Sequence, residues 1–579
     1  MHRLPLLRGV RTAAVLVIAA AMFGCAAPAR RSAVLGDSVQ VKLIAFNDFH
    51  GNLESPHASI RTPDAKDASH DVTVPAGGVA EFATLIAQLR AVNPNHAVVS
   101  AGDMIGASPL ASALFLDEPT IAAMNIIGVD FHGVGNHEFD RGAAELLRKQ
   151  NGGCARYTAL EPCRAEPFGG ALFPFLAANV IVRATGKPLF PAWGIKTFEG
   201  AKVGFIGLTL KGTQTLVPPD GIADVEFRDE ASSINALVPE LRAQGVSVIV
   251  VLLHEGGSTT GRFNDTRCQG LSGDILPVLD RLDPAIDVVV SAHTHQTYVC
   301  DYKGFLLTSA ASYGRLVTDI DLVIDRASGR VTQKSAANRI VASSAYDNVP
   351  VAAGYVPLAR DEQLERLVQR HVALAAPLAE RPVGRITATL SNANNDAGER
   401  PVGGVVADAE LAATLAAGAQ IVFLNPGSLR APIAFVGDGI VTYGALFRTQ
   451  PFGNVLVTMT LSGAQIKAVL EQQWAVKRAE VRIMQTSRGF TYVYDPRRAI
   501  GDRVLSETMK LDGKTIDPDA RYRVTVNSFM ASGGDDFSIF IAGTERINGP
   551  LDIDALETYF KAASPVSPAE QGRVERRVN

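Results

Sequence analysis

The sequence is poor in cysteine, with five among 579 residues. That excludes a small scaffold stapled by disulfides, and the spacings do not form a zinc ribbon. No concentrated run of basic residues occurs, and the formal net charge is -4. Both features exclude a surface built for duplex nucleic acid, although a local site for one nucleotide is compatible with an acidic chain. There is no internal repeat and no low-complexity block, so a solenoid or a disordered linker protein is not expected. Long hydrophobic runs are missing as well. The apolar stretch 10–24 is interrupted by Arg11 and Thr12 and is too short to span a bilayer comfortably.

What is present is the composition of a globular protein: 47% hydrophobic and 20% charged residues. The length predicts two large domains. At the N-terminus, residues 1–11 carry Arg3, Arg8 and Arg11, the apolar stretch follows, and small residues come after it, as in a secretory signal. The run Met22-Phe23-Gly24-Cys25 resembles a bacterial lipobox. The expectation is a lipoprotein-type signal peptide over 1–24, a lipid on Cys25 as the membrane attachment, and a linker over 25–38. A plain signal peptide cut near Ala27 is the alternative. Either reading exports the chain to the periplasm or cell envelope. With Cys25 set aside, Cys154, Cys163, Cys268 and Cys300 remain, an even number that suggests two disulfides in an exported protein. Cys154 with Cys163 is the local choice, but the sequence permits three pairings.

Short apolar runs at 41–46, 97–100, 203–208, 246–253, 286–290 and 305–308 read as buried strands. The segments 78–90 and 230–243 read as amphipathic helices. Together they predict an α/β layered domain over 39–345. From Asp361 to Leu378, the residues Leu364, Leu367, Val368, His371, Val372 and Ala375 share one helical face, with Pro377 and Pro382 closing the helix. It is expected to join two domains within 346–382. Mixed α and β patterning returns over 383–565, and 566–579 reads as a flexible polar tail.

Chemistry-bearing residues stand at the strand ends: Asn47-Asp48-Phe49-His50, Gly102-Asp103, Gly135-Asn136-His137-Glu138-Phe139-Asp140, His254-Glu255 and His293-Thr294-His295. In open α/β sheets ligands gather where strands end. Carboxylate oxygens with imidazole nitrogens suit divalent zinc, manganese or iron. In Asp48-x-His50 and His293-x-His295 the alternate residues of an extended chain point the same way. Two metals about 3.5–4 Å apart would clamp a phosphoryl group. A single Asp-x-His is more often a loop hydrogen-bonder, but five such strand ends in this order point to a dinuclear site.

This ordered set resembles the calcineurin-like metallophosphoesterase family, in its 5'-nucleotidase branch. The resemblance implies a four-layered αββα metallophosphatase domain followed by an α+β substrate-binding domain. It implies that one metal takes Asp48, His50 and His295, that the other takes Asn136, His254 and His293, and that Asp103 bridges them. His137 would face the phosphate without being a ligand, oriented by Asp140. Periplasmic members often carry Gln where His295 stands.

Three clusters of the second domain extend the resemblance: 423–430 with Asn425 and Arg430, 450–454 with Phe452, and 528–537 with Phe529 and Asp535. By family likeness, Phe452 and Phe529 sandwich a base and Asp535 binds ribose. Asn425 would read a base edge and Arg430 would pair with phosphate. The stretch 392–400 departs from relatives that carry further arginines, leaving Arg400 as the basic candidate there. The implied function is hydrolysis of nucleotide phosphate esters, including UDP-sugars and nucleoside di- or triphosphates, by in-line attack of hydroxide held at the metals. Alternatives are a 2',3'-cyclic phosphodiesterase with 3'-nucleotidase activity and, from another class, a non-catalytic nucleotide-binding lipoprotein.

Overall fold

The computed structural model describes residues 36–577 apart from 65, 68, 159, 347–348 and 476–481. The signal peptide and the lipid on Cys25 lie outside the described residues.

Two six-stranded sheets build the first half of the chain. One has the order Val331–Ile340, Leu316–Asp325, Ser38–Phe46, His96–Ser100, Phe131–Gly133, Phe175–Leu176. The other has the order Thr297–Tyr302, Phe305–Ala310, Val288–Ser291, Val246–His254, Ala201–Thr209, Trp193–Phe198. The central strands of each run parallel. Period-two alternation divides their side chains between two cores. Val41, Leu43 and Ala45 enter a cluster with Val248, Val250 and Leu252, which lies between the sheets. Ile44 and Phe46 turn the other way, toward Phe82, Ile121 and Leu146 on covering helices. Ile249, Val251 and Leu253 meet Ile234 and Leu241 of the helix Glu230–Ala243. The result is helices, sheet, sheet and helices in four layers.

The helix Glu362–Ala379 starts where the carboxylate of Asp361 accepts the N–H groups of Gln363 and Leu364, both at 3.0 Å. It continues through Pro377 to Ala379 instead of stopping before the proline. Leu364 and Val368 pack in the first domain's core. Ala375 joins Leu110, Leu114 and Phe115 of the first domain beside Tyr443 and Phe447 of the second. One helix therefore touches both.

The second domain centres on a five-stranded sheet of order Gln485–Thr486, Ile421–Leu424, Arg521–Asn527, Val455–Ser462, Thr544–Leu551. Its chain end departs from the flexible tail read in the sequence. Val574–Arg576 pairs in parallel with Phe490–Tyr494. Arg573 makes a two-pronged contact with Asp408, 2.8 Å at each prong. Backbone pairing and a half-buried ion pair order this segment despite its polarity. Cys154 is bonded to Cys163, and Cys268 to Cys300.

Candidate metal centre and substrate cavity

Each donor loop follows the C-terminal end of a parallel strand, so the two sheets deliver their donors to one edge. Five donor residues, Asp48, His50, Asp103, His293 and His295, have φ between 48° and 69°. That left-handed backbone costs a non-glycine residue about 1–2 kcal/mol, and such strain gathers at functional sites. The neighbouring glycines are required by space. A Cβ on Gly102 would stand 2.3 Å from His254 Nδ1, and one on Gly135 would stand 2.3 Å from Asp103 Oδ1.

The donor atoms form two groups. Those of Asp48, His50 and His295 lie within 4.8 Å of one another, as do those of Asp103, His254 and His293. Asn136 Oδ1 joins the second group, 3.1 Å from His254 Nε2 and 3.0 Å from His293 Nδ1. Asp103 Oδ2 lies 3.1 Å from His254 Nε2 and 3.7 Å from His50 Nε2, so one carboxylate faces both groups. All seven residues singled out in the sequence converge here.

The chemistry of these donors fits cations. His50 Nδ1 donates to the Gly106 carbonyl and His254 Nδ1 to the Ala101 carbonyl, each at 2.9 Å. A carbonyl only accepts, so each Nδ1 carries a proton and each Nε2 is turned toward the other donors. His50 Nε2 faces His295 Nε2 at 3.1 Å and His254 Nε2 faces Asp103 Oδ2 at 3.1 Å, an arrangement that suits donors gathered around cations. Metal-holding histidines use the same outer hydrogen bonds. Asn47 Nδ2 donates to Asp48 Oδ2 at 2.6 Å and to the Ala311 carbonyl at 2.7 Å, fixing that carboxylate.

His137 stands outside both groups. Its Nδ1 is 2.8 Å from Asp140 Oδ2. Burial opposes a charge on this ring, but the Asp140 and Asp103 carboxylates outweigh it and raise the pKa. Glu138 lies between His137 and Phe139 of the same motif, and the structure shows its role. Its buried carboxylate accepts N–H groups from Asp103 (2.9 Å), Met104 (2.8 Å), Ile105 (3.2 Å) and Gly135 (2.6 Å). Burial pushes its carboxyl up, yet His132, His254 and the Gly135 N–H bring it down to about 2. It ties the Asp103 loop to the Asn136 loop.

One cavity of about 480 Å³ opens from this centre. Asp103, Asn136, His137, His293 and His295 line one end, and Asn425, Arg430, Phe452, Phe529 and Asp535 line the other. Arg430 Nη2 is buried without a partner among the described residues. One expectation changes. Arg400 does not line this cavity: its guanidinium reaches Asn394 Oδ1 (2.8 Å), Asn392 Oδ1 (3.2 Å) and the Pro426 carbonyl (3.2 Å), bracing the Asn425 loop from outside. Asn425 has both ends of its amide engaged, donating to Asp535 Oδ2 at 2.7 Å and accepting from Asn527 at 3.1 Å. It holds Asp535 and still lines the cavity with its remaining N–H and lone pair.

Paired oxygen and nitrogen donor sets at the edge of a four-layered αββα domain define a two-metal hydrolase. A family model described as calcineurin-like phosphoesterase matches residues 41–297, and one described as 5'-nucleotidase, C-terminal domain, matches residues 382–541. Endonuclease YhcR of Bacillus subtilis is 30% identical over 551 residues, covering 94% of this chain and 42% of that protein. Cell wall protein Lmo0130 of Listeria monocytogenes is 31% identical over 594 residues, covering 97% of this chain and 73% of that one. A solved 5'-nucleotidase precursor from Thermus thermophilus is similar with a TM-score of 0.72 at 25% identity, covering 93% of this chain and 99% of that one. The chain belongs to the calcineurin-like phosphoesterase family and carries its 5'-nucleotidase C-terminal domain. The family works with two divalent metal ions, and the two donor groups here fit that pair.

Proposed function

We propose that this protein is an exported hydrolase of nucleotide phosphate esters, with 5'-nucleotides as its principal substrates and UDP-sugars or nucleoside di- and triphosphates as further ones. The observation that carries the reading is the continuous cavity joining the metal donors to two phenylalanines and a carboxylate. A phosphate at one end and a base with ribose at the other would fill it.

In this reading Asp48, His50 and His295 would hold one metal, Asn136, His254 and His293 would hold the other, and Asp103 would serve both. The chemistry two such cations supply is neutralisation of charge on the phosphoryl oxygens and activation of water. The remaining work falls to side chains. His137, oriented through Nδ1 by Asp140, keeps Nε2 for the ester. There it stabilises the phosphoryl charge or passes a proton to the departing ribose oxygen. Arg430 brings its unpartnered Nη2 to the phosphate. Phe452 and Phe529 grip the base, and Asp535, held by Asn425, accepts ribose hydroxyls. The non-catalytic reading gives no reason for His137 and Asp140 beside a full donor set.

Export is supported by the signal-like N-terminal segment and by two disulfides, which persist in oxidising compartments. A relative bearing the name of a cell wall protein is in keeping with it. Phosphate release from AMP, ATP, UDP-glucose, 3'-AMP and 2',3'-cyclic AMP, with and without manganese or zinc, tests the assignment. Preference for the 3' or cyclic esters overturns it in favour of the phosphodiesterase alternative.

A further inference from the structure

Arg482 belongs to none of the motifs that build the site, yet it lines the same cavity as Arg430, Phe452, His293 and His295. Topology puts it there. The strand Gln485–Thr486 runs antiparallel to Ile421–Leu424, with Leu424 opposite Gln485. The residues before Gln485 therefore lie beside those after Leu424, which begin the Asn425 loop. A Cβ on Gly427 of that loop would stand 3.9 Å from Arg482 Nη1 and 3.6 Å from Asp535 Oδ2.

The backbone that carries Arg482 is anchored. Ile483 and Met484 are buried, the Met484 N–H donates to Gln473 Oε1 at 2.7 Å, and Gln485 Nε2 donates to the Ile483 carbonyl at 2.9 Å. Arg482 itself is exposed, and its guanidinium has no hydrogen-bond or ion-pair partner among the described residues. Arg430 and Arg482 line one cavity together with the donors His293 and His295, so a phosphoryl group at the donors shares that cavity with two guanidiniums.

We propose that Arg482 is a second anion-holding residue of the substrate site, and that with Arg430 it selects doubly charged terminal phosphates over singly charged phosphodiesters. The inference rests on the phosphate-ester reading and deepens it. Its physical basis is charge counting. A guanidinium held toward the phosphoryl oxygens interacts with the whole charge of the group, and a monoester or terminal phosphate carries about two negative charges at neutral pH where a diester carries one. Arg482 therefore contributes more to the former.

The test uses the full chain loaded with manganese, as wild type, Arg482→Gln and Arg482→Lys. Measured are KM and kcat for AMP and for bis(p-nitrophenyl) phosphate, a singly charged diester. Competitive inhibition by inorganic phosphate and by adenosine, and bound manganese, complete the set. Arg482→Gln is expected to raise the AMP KM and the phosphate inhibition constant about tenfold, the scale of one charge-assisted contact. The diester KM should rise by no more than about threefold, as half the charge implies, and the adenosine constant and the manganese content should stay within about twofold. Arg482→Lys should recover part of the loss. An unchanged AMP KM and phosphate constant overturns the proposal, as does an equal loss on the diester or on adenosine. If the wild type released no phosphate from AMP, the nucleotide reading would fail. Inhibition of diester hydrolysis by inorganic phosphate would still judge Arg482 by itself.

Discussion

The imidazole of His137 lies stacked on the ring of Phe452, with centroids 5.8 Å apart and planes 18° apart. One belongs to the metal-bearing domain and the other to the second domain, so the residue proposed to serve the ester and the one proposed to grip the base are direct neighbours. Arg430 sits 6.0 Å from the same Phe452 ring.

Removing the imidazole should damage turnover without emptying the cage. His137→Ala is expected to lower kcat by about 10²–10⁴, the usual range for a positioned acid–base group, with metal content unchanged by elemental analysis. Asp140→Asn should show a smaller loss of the same kind. Loss of the metals in His137→Ala would place the ring among the ligands and contradict this role.

Glu138→Ala should do the opposite. It leaves four backbone N–H groups around the Asp103 and Asn136 loops without their shared acceptor. A cost of about 3–5 kcal/mol is expected, as for other broken buried charge networks, together with weaker metal retention. Urea unfolding and metal content after dialysis check both. A variant as stable and as metal-rich as wild type would deny Glu138 this role.

Phe452→Ala should raise KM for nucleotides about tenfold or more, in line with roughly 1–3 kcal/mol per base–aromatic stack. The KM for p-nitrophenyl phosphate, which has no base, should move far less. Equal changes for both would remove Phe452 from base recognition.

A pH dependence should arise beneath the Phe452 loop. Glu410 is fully buried and accepts from Gln450 Nε2 at 3.2 Å, while Glu410 Oε2 and Gln450 Oε1 have no partner among the described residues. Burial, with Asp552 adding to it, pushes the Glu410 carboxyl up to about 8. Burial pushes Asp552 up to about 7. Groups whose pKa is raised by folding favour the folded state while protonated. Their contribution is complete below the ordinary carboxylate range and is lost as pH climbs toward about 8. The unfolding free energy from urea titration should therefore be higher at pH 5.5 than at pH 8.5, by an amount on the order of a few kcal/mol. Glu410→Gln should flatten that slope, and a variant with the full slope would exclude Glu410 as its source.

The strands and the metal donors could be read in the sequence for a common reason. Parallel strands buried on both faces appear as apolar runs, and donors must sit just past their ends, so Asp48, Asp103, Asn136, His254 and His293 announce themselves by position. Other features rest on contacts between distant segments and leave no local pattern. Glu138 matters because four amides from two loops converge on it. Arg482 reaches the cavity through the pairing of two short strands. Arg400 sits behind the loop it was expected to complement, and Val574–Arg576 is a three-residue strand with no alternation to detect.

The left-handed backbone at Asp48, His50, Asp103, His293 and His295 means that these donors project from sharp corners of the main chain. Corners of that kind are costly to leave as well as to form, because the sheets behind them allow few alternatives. The dimensions of the cage are thus inherited from the chain path, and grafting the same seven side chains onto extended loops of another scaffold would copy the ligands without copying their spacing.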